Sequence, residues 1–262
     1  MRGTFRAFFV FLAAATIGVS QANAVVISDD GQIDQFLHNV YHDLLNRAPD
    51  PLGQTTFHAA LKGGMDTGAL GTAFLASGEY RHDLITGFFN SFLHRAPDTG
   101  DYAAFADLAQ WPLMEAILTS GEYRTAHPGA DAYVQNLYHD VLGRPSDPSS
   151  LAFWISYYNS HSDVSGIADS LITSMEYRTD LVTGFYHHLL HRAPDAPGLA
   201  FFVNDFGTPE SVEAQFIGSV EYLTVQSVAG IPELSTWAMM LIGFSGVGLQ
   251  MRHRGRAVAT AA

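Results

Sequence analysis

Between residues 25 and 230 this 262-residue chain carries eleven histidines and 25 aspartates and glutamates, and it contains no cysteine. Imidazoles and carboxylates build metal sites and general acid–base pairs, whereas thiol catalysis and disulfide stapling need the residue that is missing. The stretch HHLLH sets His187 and His191 four positions apart, a spacing that suits two metal ligands on one helix face. The motif places no third ligand, and both histidines recur with a scaffold. His187 is in register with His42 and His139, and His191 with His94. They read as structural residues of a helix rather than half of a zinc site.

The acids recur as well. Arg-x-x-Asp appears at Arg47–Asp50, Arg95–Asp98, Arg144–Asp147 and Arg192–Asp195, at intervals of 48, 49 and 48 residues. Ser-x-Glu-Tyr follows each time, giving Glu79–Tyr80, Glu122–Tyr123, Glu176–Tyr177 and Glu221–Tyr222. One chemistry for this set is four calcium or sugar sites built on the aspartates. A calcium loop gathers several oxygen ligands within a few residues, whereas each loop here supplies one Asp. The competing reading is mechanical: Asp caps a helix, and an Arg–Glu or Arg–Asp pair staples one helix turn to another. It accounts for every recurring polar residue. The chain has no G-x-S-x-G elbow, phosphate-cradling loop or H-E-x-x-H pair, so no catalytic residue, metal ligand or cofactor is assigned. Calcium is the one ion the acidity would favour.

Helices must position these groups. Leu37, Tyr41, Leu44 and Leu45 fall at i, i+4, i+7 and i+8, and Val182, Tyr186, Leu189 and Leu190 repeat the pattern. Each Arg then stands at a helix end, Pro49, Pro97 and Pro194 stop the helix, and each Asp caps the next one. That next helix carries an aromatic ten residues after the Arg: Phe57, Phe105, Trp154 or Phe202. No proline lies between Glu79 and Arg95 or between Glu176 and Arg192, which predicts a continuous helix over each span, shared by neighbouring repeats. "TAHPGA" at 125–130 breaks the equivalent stretch in the middle. Residues 79–98 and 176–195 share 14 of 20 residues at an offset of 97, so the expected history is duplication of a unit and then of the pair. The expectation is an all-α body of four helical repeats in two modules, 31–124 and 131–224.

The ends differ from the body. Arg2 and Arg6, an apolar run and Ala22-Asn23-Ala24 have the layout of a signal peptide over 1–24. From Leu234 to Met251 there are 18 uncharged residues followed by Arg252, Arg254 and Arg256, which predicts a C-terminal membrane-spanning helix with its basic end cytoplasmic. The body between them has 25 acidic against 8 basic residues, net −17, a surface that repels nucleic acid and anionic headgroups.

"YHDLLNRAPDPLG" (41–53) and "YHDVLGRPSDPSSLAFW" (138–154), with the Ser-x-Glu-Tyr segments, resemble the domain-of-unknown-function family 4214. The resemblance implies a helical fold distantly similar to phycobilisome linker domains, in exported and surface-associated bacterial proteins, with no established catalytic residue. The second copy departs from the pattern: its Arg-to-Tyr interval is 28 rather than 33. Pro232-Glu233, Trp237, the glycines that follow and the terminal arginines, over 231–256, resemble a PEP-CTERM sorting signal, although Leu234 stands where that pattern has proline. This second resemblance implies recognition by an exosortase-type enzyme, transient anchoring in the inner membrane of a Gram-negative bacterium, and delivery to the cell surface or exopolysaccharide matrix. The leading expectation is therefore a non-enzymatic exported protein that binds exopolysaccharide or surface proteins through its repeats. The alternatives are a calcium-responsive structural module and a polysaccharide-acting enzyme. A cleft with two facing carboxylates outside the repeat register would mark the enzyme.

Overall fold

A computed structural model of the chain describes residues 25–161 and 163–225. The expected signal peptide (1–24) and sorting segment (231–256), with Pro232, Glu233, Trp237, Arg252, Arg254 and Arg256, lie outside the described residues. Among the described residues, no helix is long and apolar enough to cross a membrane, and all regular structure is helical.

Each repeat is built from three consecutive helices. In the first quarter, α1 (Asp30–Leu45) buries the stripe Leu37, Tyr41, Leu44 and Leu45. α2 (Pro51–Lys62) starts on the Asp50 cap with proline at its first position, and α3 (Thr67–Leu75) leads into the Ser77 cap. The second quarter runs through α4 (Gly78–Phe88) with a π-helical segment (Phe89–Leu93), then α5 (Thr99–Phe105) and α6 (Gln110–Leu118). A short α7 (Gly121–Ala126) precedes the break at Pro128. The third quarter is α8 (Ala130–Leu142), α9 (Pro148–Ser160) and α10 (Ser165–Ile172). The fourth is α11 (Met175–Leu189), α12 (Ala196–Asn204) and α13 (Pro209–Ile217), followed by α14 (Val220–Val225).

The continuous helices expected from the proline-free spans are present. The first runs from Gly78 to Leu93 with its last turn widened to a π turn, and the second is α11. These two helices decide how the quarters pack. Tyr80, at the start of α4, lies in a core with Phe36, Leu44, Phe74, Phe185, Phe216 and Tyr222. Ile85, Phe88, Phe89 and Phe92, further along the same helix, lie in a different core with Leu113, Tyr133, Leu137 and Ile167. α11 makes the reverse passage: Tyr177 is in the second core, and Val182, Phe185, Tyr186 and Leu189 are in the first.

The first core therefore joins quarters one and four, and the second joins quarters two and three. This corrects the expected pairing of consecutive quarters into modules 31–124 and 131–224. Sequence adjacency suggested that pairing, but each of these two continuous helices carries its two ends into different cores. Leu84 on α4 and Leu181 on α11, 97 residues apart, are the half-buried side chains that pack against both cores. The seam between quarters one and four is tight: a Cβ on Gly218 of the α13–α14 turn would stand 2.9 Å from the Gly68 Cα of α3. Thr67 Oγ1 donates to the Gly218 carbonyl across that seam at 3.1 Å.

Candidate functional site

The residue before each motif arginine ends its helix in the left-handed conformation: Asn46 (φ 48°), His94 (φ 52°), Gly143 (φ 63°) and His191 (φ 51°). Asn and Gly tolerate this region readily and His more often than most residues, so the identities at this position follow from the turn. At quarters one and four the arginine N–H then reaches back to the carbonyl of the tyrosine six positions earlier, closing a Schellman-type cap (Arg47 to Tyr41, Arg192 to Tyr186). The cap lays the guanidinium over that ring. The distances are 4.8 Å for Arg47 over Tyr41, 4.8 Å for Arg95 over Phe89, 5.3 Å for Arg144 over Tyr138 and 4.7 Å for Arg192 over Tyr186.

In each quarter the same guanidinium forks onto the glutamate of Ser-x-Glu-Tyr. Arg47 Nη2 donates to Glu79 at 2.7 Å, Arg95 to Glu122 at 2.7 Å, Arg144 to Glu176 at 2.6 Å and Arg192 to Glu221 at 2.9 Å, with Nε on the second oxygen. The arginine hydrogen bonds hold the Glu122, Glu176 and Glu221 carboxyls below their ordinary range. These pairs are half exposed, so each is worth about 0.2–1 kcal/mol, with about as much again from the ring contact.

The aspartates do what capping requires. Asp50 accepts from Gly53 N, Asp98 from Gly100 N and Asp101 N, Asp147 from Ser149 N and Ser150 N, and Asp195 from Gly198 N. Arg47 and Arg192 also touch their own Asp, at 3.3 Å, whereas Arg95 pairs with Asp101 instead of Asp98. Ser77, Ser120, Ser174 and Ser219 cap the helices that begin at the Ser-x-Glu-Tyr segments.

The four tyrosines are buried and hydrogen-bonded. Tyr222 donates to Asp43 and Tyr123 to Asp140, both at 2.7 Å, matching pairs 97 and 99 residues apart. Tyr80 donates to Glu213 at 2.9 Å, whereas its counterpart Tyr177 approaches the Met114 sulfur at 3.2 Å and accepts from Gln110 Nε2 at 3.3 Å.

His191 lies past the end of α11 in the left-handed turn, so it does not share a helix face with His187, and both are exposed. Among the described residues no three His, Asp or Glu side chains are grouped to hold a metal ion. The buried histidine is His188, whose Nε2 lies 3.2 Å from the Asp43 carbonyl and whose pKa is pushed down by burial.

The third quarter carries a cleft. The position six residues after the arginine is Gly53, Asp101, Ser150 or Gly198. At Gly53 a Cβ would stand 1.9 Å from the Tyr41 hydroxyl oxygen, and at Gly198 2.3 Å from that of Tyr186, so glycine seats the phenol. The second quarter has Phe89 instead of tyrosine and tolerates Asp101 there. The third quarter keeps Tyr138 but has Ser150. Its phenol oxygen accepts from Trp154 Nε1 at 3.2 Å. A cleft of about 440 Å³ opens between α8, α9 and the start of α11.

Tyr138, Phe153 and Trp154 supply aromatic walls to this cleft, and Ser149, Ser150, Ser170 and Ser174 supply hydroxyls, with the Arg144–Glu176 fork at one side. Phe153 packs edge-on against Trp154, with ring centroids 4.8 Å apart. Ser149 and Ser150 donate to Asp147 and Ser170 to the Gly166 carbonyl, which leaves oxygen lone pairs able to accept from a ligand. The single carboxylate lining the cleft, Glu176, is held by Arg144 and belongs to the repeat. Of the recurring residues, Arg144 and Glu176 reach this cleft, Asp147 orders its serines, and Tyr177 turns inward to the core. Trp154 stood out in the sequence as a packing anchor. Phe153, Ser149, Ser150 and Ser170 did not stand out, although the Ser-Ser pair in place of glycine was a visible signal.

No protein-family model, curated protein or solved structure matches this chain. Fold and site together define a protein of four clasped helical repeats with an aromatic cleft between α8, α9 and the start of α11.

Proposed function

We propose that this chain is a non-enzymatic, exported protein of the bacterial surface or exopolysaccharide matrix, and that it binds polysaccharide in the third-quarter cleft. The observation that carries the binding role is that cleft's composition. Aromatic rings stack on the apolar face of a pyranose, and hydroxyl acceptors and a charged fork read its rim. The Arg144–Glu176 fork that clasps the helices of this quarter also lines the cleft, so one ion pair serves both the scaffold and the proposed binding face. The export role is supported by the two terminal segments and their resemblance to a signal peptide and a sorting signal, with an exosortase-type enzyme as processing partner.

The test is retention of the full chain by the producer's own exopolysaccharide, followed through tryptophan fluorescence. Trp154→Ala is expected to lower retention by about fivefold to tenfold while leaving the helical circular dichroism unchanged, since one stacked ring is worth about 1–1.5 kcal/mol. Equal retention of wild type and variant would place binding elsewhere.

A further inference from the structure

The distribution of exposed apolar side chains separates quarters three and four from quarters one and two. Among the described residues six large apolar side chains stand exposed, and four of them fall at two repeat positions. Nine residues after the arginine, the third and fourth quarters carry Phe153 (61% exposed) and Phe201 (57%), where the first and second carry Thr56 and Ala104. At the variable position of Ser-x-Glu-Tyr they carry Met175 (67%) and Val220 (59%), where the first two carry Gly78 and Gly121. Scattered single apolar residues need no explanation. A matched pair recurring at the same two positions in two repeats does need one.

The surroundings match as well. Phe201 stands edge-on to Phe202, with centroids 5.2 Å apart, as Phe153 stands to Trp154. Val220 sits between Ser219 and Glu221 of the Arg192 fork, as Met175 sits between Ser174 and Glu176, both of which line the cleft. The fourth quarter keeps Gly198 and has no serine pair, so its face presents rings without the hydroxyl rim. It suits a second sugar held by stacking alone.

We infer that the fourth quarter carries a second, weaker subsite for the same ligand, and that the ligand is a polymer of neutral pyranose units engaged at both subsites. This rests on the cleft reading above. Neutral chains are favoured because a body of net −17 repels polyanions at low salt. Two linked subsites raise the affinity for a polymer far above that for a short fragment, without any new contact.

The probe is the neutral fraction of the producer's exopolysaccharide, intact and hydrolysed to short oligosaccharides, titrated calorimetrically against the full chain and its Phe201→Ser and Trp154→Ala variants. Two sites per chain for the oligosaccharide are expected, with each variant retaining one. Polymer affinity should exceed oligosaccharide affinity at least about tenfold, and that excess should vanish in either variant. A single oligosaccharide site in the wild type overturns the inference. If Trp154→Ala abolishes that single site and Phe201→Ser does not, the third-quarter cleft stands alone as the binding site. Absence of any binding by the wild type overturns both readings. Phe201 is exposed, so its variant keeps the fold, and matching circular dichroism spectra confirm this.

Discussion

At Gly53 the phenol of Tyr41 occupies the space a side chain would need, and the whole clasp of the first quarter depends on that seat. Gly53→Ala is expected to destabilise the protein by about 1–3 kcal/mol in urea titration, the usual cost of forcing a well-packed site. Tyr41→Phe in the same chain should recover a large part of the loss, because the second quarter, with Phe89, accommodates Asp101 at that position. Additive losses in the double variant would show that the two residues do not share the site. Arg47→Lys retains the charge but loses the fork on Glu79 and the flat contact with Tyr41. A drop of about 1 kcal/mol is expected, read from the same titrations. The clasp itself was legible in the sequence, since Arg, Glu and Asp recur at fixed spacing and helix-end physics gives each a task. The position six residues after the arginine was not, because it changes between Gly, Asp and Ser from copy to copy and its meaning lies in where the phenol sits in the folded chain.

Among the elements, the helix ends carry the most readable information. Proline, Asp and Ser punctuation placed the starts of α2, α4, α9, α11, α12 and α14 from spacing alone, whereas the left-handed residue before each arginine appeared only as a variable His, Asn or Gly. Because glycine adopts that conformation without strain, His94→Gly is expected to raise stability by about 0.5–1 kcal/mol, seen as a higher melting temperature. The start of α6 has a cap that no local pattern announces. Its cap residue is Ala109, which offers no side-chain acceptor, and Glu210 from α13, 100 residues away, accepts from Gln110 N at 2.7 Å. Glu210→Ala is expected to cost about 1 kcal/mol in a thermal melt, the worth of a lost N-cap, with no partner elsewhere to replace it. Long-range caps of this kind become visible only when the packing partner is known, and packing was the part of the fold that sequence adjacency misassigned.

For the whole molecule, the crossing of α4 and α11 between two cores means that neither half of the chain contains a complete core. A fragment ending at residue 127 carries α1 to α3 without α13 to cover them, and it should remain unfolded by circular dichroism. Mixing it with the complementary fragment should restore the helical signal, whereas independent folding of either half would refute the shared-core arrangement. The seam between quarters one and four also holds Glu213, fully buried, at the place where the pseudo-equivalent site uses Met114. Burial pushes this carboxyl up to about 8 from an ordinary 4.5, with the Tyr80 hydroxyl bond acting in the opposite direction and the charges of Glu210 and Asp43 adding to the rise. The folded chain therefore holds a proton that the unfolded chain releases, so this contribution to stability is intact below pH 4.5 and is lost as pH rises toward 8. The loss is on the order of 3–5 kcal/mol for the full shift. Melting temperatures at pH 5.5 and 8.5 should differ in that direction, and Glu213→Met, which copies the other half, should flatten the difference.

Counted around the molecule, quarter one meets quarter two through a helix, two meets three through a core, three meets four through a helix, and four meets one through a core. An open stack of repeats can lengthen by adding a unit at either end, but a closed circuit has no end to extend. A further unit inserted between quarters four and one would have to part Gly68 from Gly218, so the seam leaves no room for one there.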